Sequence, residues 1–160
     1  MISIKIIALG SMKDHYIKLG ITEYLKRLQS FCKCEIVEIP EGKSSQNPND
    51  SEIKQLLAEE ASRLEQAIPK DAYVIAMAVE GVQLSSEEFA QKIESITTYE
   101  TNKIVFLIGS SNGLDSQIKT KAHLRLSLSK VTFPHTLLRL ILLEQIYRAL
   151  TIIHHTPYHK

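Results

Sequence analysis

Side chains able to contact anions or move protons gather at one end of this 160-residue chain. The segment SKVTFPHTLLRLILLEQIYRALTIIHHTPYHK, residues 129–160, carries Lys130, Arg139, Arg148 and Lys160, together with His135, His154, His155, Tyr158 and His159. Arginine and lysine suit phosphate contacts, and a histidine titrates where a general base is useful. The charge distribution points the same way. Residues 1–100 hold 11 Lys/Arg against 16 Asp/Glu, whereas residues 101–160 hold 8 against 2 and five of the six histidines. Formal net charge is only +1, yet such asymmetry implies a basic surface for a polyanion. The plain alternative is that the two halves neutralise each other in the fold. A metal site is not expected, because His154 and His155 are adjacent on one helix end and splay apart. Cys32 and Cys34 are badly placed for a mutual disulfide, and zinc would need about two further ligands, so free thiols are expected.

These groups must be positioned by alternating strands and helices. ISIKIIALG (2–10), CEIVEIP (34–40), AYVIAMAV (72–79), KIVFLIG (103–109) and LRLSLSK (124–130) read as strands. Continuous apolar runs such as 72–79 suit strands covered on both faces. Helical patterns occupy 13–29, 51–68, 85–96, a short stretch near 115–123, and the C-terminal segment after Pro134. Asp50 or Ser51 can cap the second helix, and Ser85 with Glu88 forms a capping box for the third. Parallel strands need crossover helices, and this order supplies them. The expected fold class is therefore α/β, a mainly parallel sheet flanked by helices, with residues 1–160 as one domain. Met1 leads straight into a strand pattern, and charges interrupt the apolar C-terminal helix. A membrane span needs roughly 20 mostly apolar residues, so the expectation is a cytoplasmic protein with no membrane partner.

The last helix is apolar nearly all round: Leu137, Leu138, Leu140, Ile141, Leu142, Leu143, Ile146, Ala149, Leu150, Ile152 and Ile153 cover its circumference, with Glu144 and Arg148 as an i,i+4 pair. One stripe suffices to pack on a sheet. No element remains in the chain to cover the opposite side, so a homodimer built on this helix is expected.

Ligands of open parallel sheets bind at the carboxyl ends of strands. Three such loops stand out: Met77 to Gly81, Gly109-Ser110-Ser111-Asn112-Gly113-Leu114, and Leu128 to Pro134. The glycines permit close approach or positive φ, but the spacing is not that of a dinucleotide fingerprint. Taken in order, IGSSNGL, LSLSKVTFPHTLLRLILLEQIYRA and a terminal PYHK, in a chain opening with IKIIALGSMKD, closely resemble the ribosomal RNA large subunit methyltransferase H family, within the SPOUT superfamily. The likeness spans the chain and is densest from Gly109 to Lys160. Ser110 stands where the family commonly has a second glycine, Met77 where leucine is usual, and His154-His155 where an Arg-Gly pair is common.

The resemblance implies a SPOUT-type C-terminal trefoil knot, S-adenosyl-L-methionine as methyl donor with no metal, and methylation at N3 of a pseudouridine in 23S rRNA within the assembled ribosome. Matched motif to motif, Met77, Gly109, Leu128, Ser129, Lys130, Val131, Thr132 and Phe133 line the cofactor pocket. His159 is the candidate for handling the N3 proton, with Tyr158 positioning the base, on a mobile tail that reaches the partner subunit. Arg139, Arg148 and Lys160 are the candidate RNA contacts. Two other classes compete: a non-enzymatic RNA-binding protein that has lost the cofactor, and a flavodoxin-like oxidoreductase. LGSMKD lacks the Ser/Thr/Gly run that the second would need.

Overall fold

A computed structural model describes Met1–Lys160. Ten elements alternate: β1 (Ile2–Leu9), α1 (His15–Leu28), β2 (Cys32–Ile39), α2 (Asp50–Ala67), β3 (Tyr73–Gln83), α3 (Ser86–Tyr99), β4 (Lys103–Ile108), α4 (Ser116–Lys121), β5 (Leu124–Ser127) and α5 (His135–Ile153). The strands form one parallel sheet in the order β2-β1-β4-β3-β5. The α/β expectation is met.

Both faces of the sheet are buried because successive side chains point to opposite sides. Ile4, Ile6, Ile75, Phe106 and Ile108 pack against α1, α3 and α5, while Ile7, Leu9, Ala76, Val105 and Leu107 pack against α2 and α4. Capping follows the chain chemistry closely. Ser85 and Glu88 make the full capping box. Asn49, rather than Asp50 or Ser51, caps α2, its side chain accepting from the Glu52 N–H at 2.8 Å. Asn49 stands one residue earlier, where the backbone is still extended.

Two strands differ from the sequence expectation. β5 stops at Ser127, and β3 continues past residue 79 through an irregularity in which Met77 and Val82 both face Leu126. Gly81 permits this. A Cβ there would sit 2.7 Å from backbone atoms of Arg125 and Leu126. Glu80 lies in this irregular stretch of β3, between Met77 and Val82.

The terminal helix finds more cover within the chain than its pattern suggested. It lies on the sheet between α1 and α3: Gly20 of α1 abuts Leu140, where a Cβ would come within 2.8 Å of Cδ2, and Ser86 Oγ of α3 donates to Gln145 Oε1 at 2.9 Å. Leu142, Leu143, Ile146 and Leu150 are fully buried, while Leu137 and Ile141 stay half-buried. The expectation that nothing remained to flank α5 is corrected by these two helices. No helix of the chain is long and apolar enough to cross a membrane.

Arg139 is a second correction. Expected at RNA phosphates, it is 1% exposed. Its guanidinium donates to Glu38 Oε2 at 2.8 Å and to the carbonyls of Leu9 and Gly10 at 3.0 and 2.9 Å. Long aliphatic stems let arginine cross a core to reach such acceptors. Arg139→Ala should cost about 2–4 kcal/mol in urea unfolding, from a void plus two stranded carbonyls. The salt dependence of RNA binding should not change.

Candidate active site

A cavity of about 680 Å³ opens at the carboxyl ends of β3, β4 and β5. Met77, Gly109, Leu128, Ser129, Val131, Thr132 and Phe133 line it as expected. Lys130 does not; it is exposed, outside the lining. Sequence reasoning placed Glu80 only within the Met77–Gly81 loop and missed Lys119, His135 and Leu138 as wall residues; all four face the cavity. They come from the β3 excursion, α4 and the start of α5, and only the tertiary fold brings them together.

Backbone turns shape the walls. Gly113 has φ +82° and donates its N–H to the Ser110 carbonyl at 2.9 Å. A Cβ on Gly109 would lie 2.4 Å from Gly113 backbone atoms, so the loop closes only on glycine. On the opposite wall Ser127 Oγ donates to the Ser129 carbonyl at 2.9 Å, and Ser129 Oγ accepts from the Val131 N–H at 3.0 Å. At the rim Lys119 Nζ meets Glu80 Oε1 at 2.7 Å, and this bond holds the Glu80 carboxyl below its ordinary range. Ser110 fits where a glycine is common in the resembling family: it is buried, and its hydroxyl points to Glu60 Oε1 at 3.5 Å. Glu60 is itself 1% exposed and accepts from the Gly42 N–H at 2.9 Å. Burial pushes its carboxyl up.

The mix of apolar walls, hydroxyls and backbone amides fits an amphipathic cofactor of drug-like size. S-adenosylmethionine, with an adenine at one end and an amino acid at the other, matches that character. No group of three or more His, Cys, Asp or Glu is arranged to hold a metal ion.

The C-terminal tail was expected to be mobile. Here it is docked. His155 takes φ +53°, the chain reverses after α5, and the Thr156 N–H returns to the Thr151 carbonyl at 2.9 Å. The Tyr158 ring stands edge-on to Tyr147 at 4.8 Å, with the Arg148 guanidinium 4.8 Å from its centroid. Its hydroxyl donates to Glu144 Oε1 at 3.1 Å and lies 3.3 Å from the Tyr24 hydroxyl. Burial, then the bonds to Tyr24 and Glu144, push this phenol well up, so it stays neutral. Arg148 also donates to Glu144, through Nε at 3.0 Å and Nη2 at 2.6 Å. His159 bridges Arg148 Nη1, 3.0 Å from Nδ1, and Glu87 Oε1, 2.7 Å from Nε2. Lys160 is exposed.

The structure thus brings Tyr158, His159 and Arg148 together, and none of the three lines the cavity of the same chain. Leu138 is the last α5 residue on the cavity wall. Glu144 and Arg148, against which the tail docks, lie about 9 and 15 Å further along the helix axis.

The family model described as "Predicted SPOUT methyltransferase" matches residues 2–159. Ribosomal RNA large subunit methyltransferase H of Bacillus cytotoxicus is 46% identical over 158 residues, covering 99% of each chain. The protein of the same name from Listeria monocytogenes is 44% identical over the same share. Among solved structures, a probable methylase family protein from Haemophilus influenzae Rd KW20 superposes with TM-score 0.52 at 14% identity, over 98% of this chain and 70% of that one. That last likeness is one of fold alone.

Gly109→Val should collapse the loop and weaken S-adenosylmethionine binding at least about tenfold by calorimetry, with the circular dichroism spectrum retained. Glu60 gives a pH-dependent outcome. A carboxyl raised by burial favours folding while protonated, and that contribution is lost as pH rises through its folded-state value. Glu60→Gln should therefore be more stable than wild type at pH 8, with the gap closing towards pH 4, in paired denaturant melts.

Proposed function

The chain belongs to the SPOUT methyltransferases, and on that premise we propose that it methylates N3 of a pseudouridine in 23S rRNA on the assembled ribosome, in the cytoplasm. The observation that carries this reading is the near-full-length likeness to relatives named ribosomal RNA large subunit methyltransferase H. It is supported by a cavity built from the same loops that the motif match singles out. When bound, S-adenosylmethionine supplies a methyl group on a positively charged sulfur. Met77, Gly109, Leu128, Ser129, Val131, Thr132 and Phe133 hold and shield it. Residues 1–160 act as a single domain, with the segment from β5 into α5 threaded as a trefoil knot around the pocket.

Positioning does most of the remaining work: holding an acceptor in line can supply roughly 7–11 kcal/mol. N3 must also lose its proton, because a protonated imide nitrogen is a poor nucleophile. His159 takes that proton, Tyr158 sets the base against it, and Arg148 and Lys160 steady the RNA backbone. The tail docks well away from its own cavity, so it serves the cavity of a second copy. A homodimer provides this, closing over the half-buried Leu137 and Ile141 of α5 and over Tyr16 and Leu19 of α1, which are 69% and 59% exposed. Burial of such side chains is worth about 1.5–3 kcal/mol each when complete.

Removal of Tyr158, His159 and Lys160 should abolish methyl incorporation into 23S rRNA, while calorimetry still reports wild-type S-adenosylmethionine binding. Full turnover by the truncated chain would exclude the tail from the reaction. A monomer that remains fully active in light scattering would exclude the composite site.

A further inference from the structure

The two ring nitrogens of His159 face opposite kinds of partner. A guanidinium has only N–H donors and is never deprotonated in proteins. Its 3.0 Å contact to Nδ1 therefore requires Nδ1 to accept. The ring proton then sits on Nε2, 2.7 Å from Glu87 Oε1, and is donated to that carboxylate. The imidazole is neutral, its tautomer fixed from both sides. Glu87 is itself held below the ordinary carboxylate range, first by its bond to His159, so it stays an acceptor. Its backbone is set in the first turn of α3, next to the Ser85–Glu88 capping box.

A carboxylate that accepts from one imidazole nitrogen, leaving the other as the base, is the arrangement by which histidine bases are oriented in nucleophilic catalysis. The geometry points to Glu87 as the positioning residue of a Glu87–His159 pair, with Arg148 capping the basic lone pair until RNA arrives. This deepens the proposed role of the tail and rests on it. Arg148 is held by Glu144 as well as by His159. A phosphate presented to its guanidinium competes for the contact with Nδ1 and uncovers that nitrogen. The N3 proton then passes to Nδ1, the N–H bonding pair stays on N3, and the resulting imidazolium is stabilised by the Glu87 carboxylate. The proton later leaves to water, restoring the neutral ring. The Glu144 carboxylate of α5 is already engaged by Arg148 and by Tyr158 of the tail, and Glu87 is the carboxylate bonded to the His159 ring.

The test uses the full chain labelled with ring-15N histidine, and methyl transfer to ribosomes lacking the modification. Wild-type His159 should show the Nε2–H tautomer. Glu87→Ala should show mixed tautomers and a loss in kcat on the order of a hundredfold, with KM for ribosomes and the S-adenosylmethionine Kd unchanged. Glu87→Gln keeps an acceptor but no charge, so it should restore the tautomer and only part of the rate. An Nδ1–H tautomer in wild type would overturn the pair. So would wild-type kcat in Glu87→Ala beside an inactive tail truncation, which would leave the tail itself in the mechanism. If the truncated chain turns over normally, the tail reading falls first and the pair with it.

Discussion

The guanidinium of Arg139 ties the start of α5 to the end of β1, and the functional layout follows from that attachment. Two carbonyls at the close of β1, Leu9 and Gly10, have run out of strand partners on one side and would be stranded under a helix. Arg139 satisfies both while pairing with Glu38 of β2. The first turn of α5 is thereby fixed beside the strand ends, where His135 and Leu138 become wall residues of the cavity. A rigid helix then carries the chain away from the cavity before the tail reverses. Pocket and tail are set by the same element and held apart by its length.

Charge is arranged with the same economy. Half of the cations in residues 101–160 are paired: Lys119, Lys121 and Arg139 reach Glu80, Glu65 and Glu38 of the acidic half, and Arg148 pairs within α5. The asymmetry along the sequence is thus partly cancelled in space. Lys103, Arg125, Lys130 and Lys160 remain exposed. Exposed pairs such as Lys121–Glu65 contribute little to stability. Arg148–Glu144 differs, since both side chains are largely covered and each also binds a residue of the tail.

What could be seen in the sequence was whatever depends on local pattern. Apolar runs gave the strands, Ser85 with Glu88 gave a cap, Glu144 with Arg148 gave an ion pair, and the glycine loop with the Leu128–Phe133 segment marked two walls of the pocket. What stayed hidden depends on distant neighbours. Arg139 looks like a surface cation because its type usually is one. Glu60 sits in a helix rich in solvated acids, and only the fold places it beneath Ser110. The Gly81 excursion requires the backbone of β5 alongside. Glu87 reads as a first-turn acid favourable to the α3 dipole, and its bond to His159 crosses 72 positions of sequence.

The character of the cavity walls bears on where the barrier lies. On the proposed reaction, a cationic sulfur and an anionic imide combine to give neutral products, so opposite charges disappear as the bond forms. Walls built from Leu126, Leu128, Phe133 and Leu138 solvate those charges poorly, and a medium of low dielectric strengthens their attraction. Such walls oppose the formation of the anion as strongly as they favour its consumption. The demanding event is therefore loss of the N3 proton. A neutral imidazole with a fixed tautomer and an adjacent carboxylate is suited to that event, because it meets the proton with its basic nitrogen already oriented and its counter-charge already in place. This accounts for a tail that is docked through five side chains, Tyr24, Glu87, Glu144, Tyr147 and Arg148, and the Thr151 carbonyl, when a loose arm would suffice for RNA contact alone.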